Sequence, residues 1–137
     1  IVNDDPFLAL KVNADGCHLG QKDMNITIAK KILKNKIIGV TCHNSIKLSK
    51  KALLDGANYI ALGAFFKTET KKVKYKTNIS TLIKIRKSVN LPVVAIGGIN
   101  EKNYKKLLLN KADFLAISGY IWNNKKLKPH QAIKNLK

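Results

Sequence analysis

Asp4 and Asp23 each follow a short apolar run. Carboxylates at such positions suit Mg²⁺, a hard cation that takes oxygen ligands and keeps waters or substrate phosphates in its shell. Capping of a following helix is the competing reading for each. Gly97-Gly98 and Ser118-Gly119 follow two later apolar runs. Backbone beside glycine can approach a phosphate closely, so these pairs read either as phosphate-binding turns or as tight turns only. Thr68, Thr70 and Lys71 offer an anion two hydroxyls and a cation, unless their segment is a plain surface loop. Cys42 and His43 are adjacent, but neighbours on an extended chain point to opposite sides, which argues against a nucleophile–base pair. No Cys/His set has zinc spacing. His18, inside an apolar run, reads as a packed core histidine.

These groups need a frame to bring them together. Short apolar runs at Ile1-Val2, Gly16 to Leu19, Ile37 to Val40, Tyr59 to Leu62, Val93 to Ile96 and Phe114 to Ile117 read as strands. They carry no polar alternation, as expected for strands covered by helices. Between them, helix-period segments place Ile26, Ala29, Ile32 and Leu33 on one face, then Leu48, Ala52 and Leu53, then Ile79, Leu82 and Ile83, then Tyr104, Leu107 and Leu108. Asn25, Asn44, Asn78 and Asn100 are the expected N-caps, Gly56 a helix stop, and Pro129 the first turn of a last helix. Asn13-Ala14-Asp15-Gly16, Gly56-Ala57-Asn58-Tyr59 and Lys111-Ala112-Asp113-Phe114 form a weak repeat before three strands, where Asn and Asp can bond nearby backbone N–H groups. The alternation predicts βα units around a parallel sheet, in a barrel or a doubly wound arrangement. A barrel would bring the polar or Gly-rich residues after all six strands to one rim. The segment from Leu62 to Asn78 is long for a connection, and it follows a strand where such folds place ligands.

Composition bounds the function. The 137 residues are 45% apolar and suffice for one domain with a core. The formal net charge is +18, yet Arg86 is the sole arginine and the lysines are scattered over helices. Specific base readout, which favours Arg, is therefore not expected, whereas nonspecific polyanion binding at low salt is. No apolar run is long enough to span a membrane and no signal peptide is visible. Cys17 and Cys42 lack the spacing of a disulfide framework and are expected to be buried and reduced, which points to the cytoplasm.

In order and spacing, several motifs resemble the thiamine phosphate synthase family: Asn3-Asp4, His18-Leu19-Gly20-Gln21-Lys22-Asp23, Gly39-Val40-Thr41-Cys42-His43, Lys67-Thr68-Glu69-Thr70-Lys71, Val94-Ala95-Ile96-Gly97-Gly98-Ile99 and Ala116-Ile117-Ser118-Gly119. The resemblance implies a parallel (β/α) TIM-type barrel. It also implies Mg²⁺-dependent coupling of an aminopyrimidine methyl diphosphate with a thiazole phosphate, giving thiamine phosphate and pyrophosphate. By carry-over, Asp4 and Asp23 hold the Mg²⁺, and Asn3, Thr41 and Lys71 bind the pyrimidine diphosphate. Thr68, Glu69, Thr70, Gly98, Ser118 and Gly119 bind the thiazole phosphate. The partners implied are these small molecules. No catalytic His or Cys is required. Lys67 stands where the family commonly has Pro, and Thr41 where Ser is frequent.

The family barrel has eight strands, so residues 1–137 are expected to form one partial barrel domain of about six strands whose N-terminal strands are missing. Open strand edges would then allow a homo-oligomer, and such a piece alone is expected to have little synthase activity. Two other readings stand beside this one. A thiazole tautomerase would carry a His where Ala64 stands, and an inactive, basic, polyanion-binding domain would need only the lysines. For the last, a titration of DNA binding against salt is the check. Binding should lack sequence preference and fall steeply with salt; salt-resistant, sequence-selective binding would contradict the solvated-lysine reading.

Overall fold

The computed structural model describes residues 1–68, 70 and 73–137. Six strands form one parallel sheet in sequence order: β1 (Val2–Asn3), β2 (Gly16–Leu19), β3 (Ile37–His43), β4 (Tyr59–Gly63), β5 (Val93–Ile96) and β6 (Phe114–Ala116). The crossovers carry α1 (Pro6–Lys11), α2 (Ile26–Leu33), α3 (Ile46–Leu54), α4 (Ile79–Ser88) and α5 (Tyr104–Leu109); α6 (Gly119–Trp122) and α7 (Pro129–Lys134) follow the last strand. Successive parallel βα units in this order are those of a TIM-type barrel. No helix among the described residues is long and apolar enough to cross a membrane.

The helices form where their caps satisfy otherwise orphaned N–H groups. Asn25 accepts from Thr27 N at 2.8 Å and Asn78 from Thr81 N at 2.9 Å, as the sequence predicts. Pro129 opens α7, also as predicted. Two caps differ. Ser45, not Asn44, caps α3 through Leu48 N at 3.2 Å, because Asn44 turns its amide to Lys76 O at 2.9 Å. Asn103, not Asn100, precedes α5, and Asn100 instead closes the turn ahead of it by accepting from Lys102 N. The sequence reading also missed α1 and α6. Both are too short to show a period, although Asp5 and Pro6 give α1 a cap and a preorganised first turn.

The two faces of the sheet differ. Toward the helices point Cys17, Leu19, Ile38, Val40, Ile60, Leu62, Val93 and Ala95, each at most 4% exposed. The opposite, concave face carries His18, Thr41, Tyr59 and Val94, half-buried, and Ile96 and Phe114, exposed. As expected, the residue types scarcely alternate; burial separates the faces in β5, whereas β4 is buried from Ile60 to Gly63.

The repeat before β2, β4 and β6 has a common geometry. Asn13, Gly56 and Lys111 all adopt positive φ, and the alanine after each donates to a carbonyl five residues back: Ala14 to Ala9, Ala57 to Ala52, Ala112 to Leu107. This is the Schellman closure of a helix C-terminus. Asn58 and Asp113 then bond across the sheet rather than within the turn, as the sequence reading had it. Asn58 Oδ1 accepts from Ile38 N at 2.8 Å and Asp113 Oδ2 from Val93 N at 2.7 Å. Each fixes the register of its strand against the preceding one. Asn58→Ala leaves the N–H of buried Ile38 without this acceptor and should cost about 1–3 kcal/mol of stability in urea unfolding, whereas Asn58→Asp, which keeps an acceptor, should cost less.

Candidate functional site at the strand C-termini

Because all six strands run the same way, their C-terminal ends share one rim. Asn3 closes β1 rather than following it, and Asp4 comes next with φ 69°, its N–H donating to His18 O at 2.8 Å. After β2, Gly20 N donates to Asp23 Oδ2 at 2.7 Å. Asp23 therefore caps a turn, not the helix α2, and one of its oxygens is used there. Asp4 is bonded through its N–H to the last part of β2 and Asp23 closes the turn that follows β2, so both carboxylates stand beside the C-terminal end of that strand. Two exposed carboxylates with an oxygen to spare fit Mg²⁺ held jointly by protein, water and phosphate. Among the described residues no group of three or more His, Cys, Asp or Glu could hold a metal by itself.

Thr41, Cys42 and His43 lie inside β3, not after it as expected. The register against β4 shifts between Thr41 and His43, and His43 has φ 55°. Cys42 is fully buried, and burial pushes its thiol up to about 11. His43 lies on the other side, stacked on Tyr75 with ring centroids 4.3 Å apart. The two do not form a nucleophile pair, in line with the sequence reading.

His18 is not a core histidine, contrary to expectation. It lies half-buried on the concave face, with Nδ1 2.9 Å from Tyr59 Oη and Nε2 2.8 Å from Thr41 Oγ1. Burial lowers its pKa, an effect that the charges of Asp4 and Asp23 oppose. The Gln21 side chain donates to the Thr41 carbonyl oxygen. Sequence reasoning missed Tyr59 and Gln21. The signal available was Gly39, directly opposite Tyr59: a Cβ there would overlap the phenol ring.

The long segment after β4 folds back along β5. Phe65 N donates to Ile96 O at 3.1 Å and Phe66 N to Gly97 O at 3.0 Å, while Ala64 and Thr77 close its base. Gly97 and Gly98 have φ of 101° and 65°, and a Cβ on either would overlap Ala64, Phe66 or Lys67. Close approach of this segment, more than a tight turn alone, thus requires the glycine pair. A Cβ on Gly119 would lie 3.2 Å from Thr70 Oγ1. Thr68 Oγ1 accepts from Thr70 N at 3.3 Å, and Asn103 Nδ2 donates to Gly98 O at 3.0 Å. The segment, the glycine pair and the Ser118-Gly119 turn therefore meet. Among the described residues, the N–H groups of Gly98, Ser118 and Gly119 have no acceptor. Glu69 and Lys71, two predicted site residues, lie outside the described residues.

Cys17 and Cys42 are buried and not disulfide-bonded. Burial raises both thiols, with the charge of Asp4 adding to the shift at Cys17. A thiol near 11 is deprotonated to the order of one part in a thousand at about pH 8. Alkylation of the folded protein by iodoacetamide, followed by mass spectrometry, should leave Cys42 unmodified until the pH is raised or the chain unfolded; rapid labelling at about pH 8 would show the site to be open.

The profile of the thiamine monophosphate synthase family matches residues 1–121. A thiamine-phosphate synthase from Pelagibacter ubique is 69% identical over 137 residues, covering 100% of this chain and 66% of its own. One from Clostridium tetani is 45% identical over 129 residues, 93% of this chain and 61% of its own. The chain thus spans just under two thirds of the length of these curated relatives. Among solved structures, thiamine phosphate pyrophosphorylase from Pyrococcus furiosus superposes with a TM-score of 0.88 at 36% identity, over 98% of this chain and 63% of that one. A 3-hexulose-6-phosphate synthase superposes at 0.73 with 18% identity over 96% of this chain and 64% of its own, a likeness of fold alone.

Proposed function

The chain belongs to the thiamine monophosphate synthase family, and from that premise we propose that the protein couples an aminopyrimidine methyl diphosphate to a thiazole phosphate, in thiamine biosynthesis. The observation that carries the reading is the meeting of Thr68, Thr70, Gly98, Ser118 and Gly119 at the same rim as Asp4, Asp23 and Thr41. N–H groups beside glycine that have no acceptor among the described residues, with two threonine hydroxyls, suit a phosphate. With Glu69 they are assigned to the thiazole phosphate. Asn3, Thr41 and Lys71 are assigned to the pyrimidine diphosphate, and Asp4 and Asp23 to Mg²⁺. A cytoplasmic setting is part of the proposal, supported by two buried thiols without a disulfide.

The chemistry asks little of acids or bases. The bond between the pyrimidine's methylene carbon and the diphosphate oxygen breaks, its electron pair leaving with pyrophosphate, and the thiazole nitrogen lone pair forms the new C–N bond. An amino-substituted pyrimidine stabilises the methyl cation between these events. The protein's part is alignment of the two rings and neutralisation of the departing charge. When bound, Mg²⁺ would neutralise charge on the leaving group. Asp4 and Asp23 would hold it, and the N–H groups and hydroxyls would orient the second substrate through its phosphate.

The assay is chromatography of thiamine phosphate formed by the intact protein with both substrates and Mg²⁺; absence of product would refute the assignment. Asp23→Ala separates the metal role from the turn-capping role. Loss of the Gly20 bond alone should cost about 1 kcal/mol of stability. The expected outcome is a rise of tenfold or more in the Mg²⁺ giving half-maximal rate; a lowered melting temperature with unchanged Mg²⁺ response would assign Asp23 to the turn only.

A further inference from the structure

We propose that His18 is a positioning residue that, oriented by Tyr59, commits the Thr41 hydroxyl proton to an acceptor atom of the pyrimidine substrate. The proposal rests on the reading of Thr41 as a pyrimidine contact.

Both ring nitrogens of His18 are engaged, Nδ1 with Tyr59 Oη at 2.9 Å and Nε2 with Thr41 Oγ1 at 2.8 Å. The three residues sit on three neighbouring strands, on the face away from the helices. A neutral imidazole has one donor and one acceptor nitrogen, and the neighbour of one decides the role of the other. The two neighbours here differ. A phenol is the stronger acid and the better donor, while an aliphatic hydroxyl oxygen is the better acceptor. Tyr59 O–H therefore donates to Nδ1, and Nε2–H donates to Thr41 Oγ1. With one lone pair occupied by Nε2–H, the Thr41 hydroxyl is aimed by the imidazole while its own proton remains unspent. Gln21 holds the Thr41 carbonyl oxygen, so backbone and side chain are both fixed.

The geometry around Tyr59 belongs to the same device. Its ring stacks on His18 with centroids 5.5 Å apart and planes inclined by 28°. It occupies the space that a side chain at residue 39 would fill, which is why glycine stands there. Both His18 and Tyr59 are half-buried and hydrogen-bonded to each other, so the relay keeps one direction. The consequence is a specificity statement. Thr41 offers a donor, and its partner is an unprotonated ring nitrogen of the aminopyrimidine.

Two independent measurements test this. In the intact protein with ¹⁵N-labelled histidine, long-range ¹H–¹⁵N correlation at neutral pH should show His18 with pyridine-type Nδ1 and pyrrole-type Nε2, and Tyr59→Phe should weaken that preference. The opposite tautomer or an imidazolium would overturn the proposal without reliance on any activity. In kinetics, His18→Leu should raise KM for the aminopyrimidine methyl diphosphate about tenfold, as for loss of one oriented hydrogen bond, and leave KM for the thiazole phosphate unchanged. His18→Gln, whose amide N–H can reach the place of Nε2–H, should recover most of the loss. Thr41→Val should match His18→Leu, and the double variant should add nothing further. Equal losses toward both substrates, or additive losses in the double variant, would overturn the relay. A silent His18→Leu beside an impaired Thr41→Val would overturn the relay alone, whereas a silent Thr41→Val would overturn the Thr41 assignment and the relay with it. Melting curves of each variant separate these outcomes from misfolding.

Discussion

Parallel pairing of neighbouring strands is the constraint from which the rest follows. Two parallel strands cannot be joined by a hairpin, so each must return across a face of the sheet before the next begins. The return is made by amphipathic helices whose apolar sides meet Leu19, Ile38, Val40, Ile60, Leu62 and Val93. Burial of side chains of this size contributes about 1.5–3 kcal/mol each and offsets the cost of ordering the crossovers. The same pairing sends every strand C-terminus to one rim. Residues as far apart in the chain as Asp4 and Ser118 thereby come to share it without any local signal between them.

The faces of the sheet divide the work. The helix side is apolar, and its two thiols, Cys17 and Cys42, are buried in it. The concave side holds a polar chain across three strands, from Tyr59 through His18 to Thr41. Such a chain is tolerated on a half-open face because both imidazole nitrogens find partners, and an unpaired polar group there would be costly. Within this chain, Asn58 ties the start of β4 to that of β3 and so helps to set the register of β4, with Tyr59, against β3, with Thr41. Slippage by one residue would turn His18 and Thr41 toward the helices and Cys17 and Cys42 toward the rim.

Close approach of backbone to backbone makes the phosphate-sized part of the rim. The backbone of Ala64, Phe65, Phe66 and Lys67 is drawn onto Gly97 and Gly98 by the hydrogen bonds of Phe65 and Phe66, and glycine is required where the two strands of backbone meet. Thr70 thereby reaches Gly119. Arg86, the sole arginine, serves the scaffold instead: it donates to Leu91 O and lies 3.2 Å from Asp113, holding the start of β5.

Whatever depends on neighbours within one turn or one strand was legible in the amino-acid sequence. Short apolar runs marked the six strands, although β3 runs on to His43 and β6 stops at Ala116. The period of 3.6 residues placed Ala29, Ala52, Leu82 and Leu107 on buried helix faces, whereas Leu53, Ile83 and Leu108, expected beside them, are exposed. The caps at Asn25 and Asn78 and the role of Pro129 follow from local hydrogen bonding. The order of strand-end motifs carried the family resemblance. Tertiary structure alone decided which residues meet across strands. His18 finds Thr41 and Tyr59, 23 and 41 residues away, and Asn58 bonds Ile38 instead of its own turn. Asn44 yields its cap to Ser45 because Lys76 offers an acceptor from a distant segment. The reason is physical: residue type records what a side chain can donate, accept or bury, but register and closure of the parallel sheet select which partner is within 3 Å.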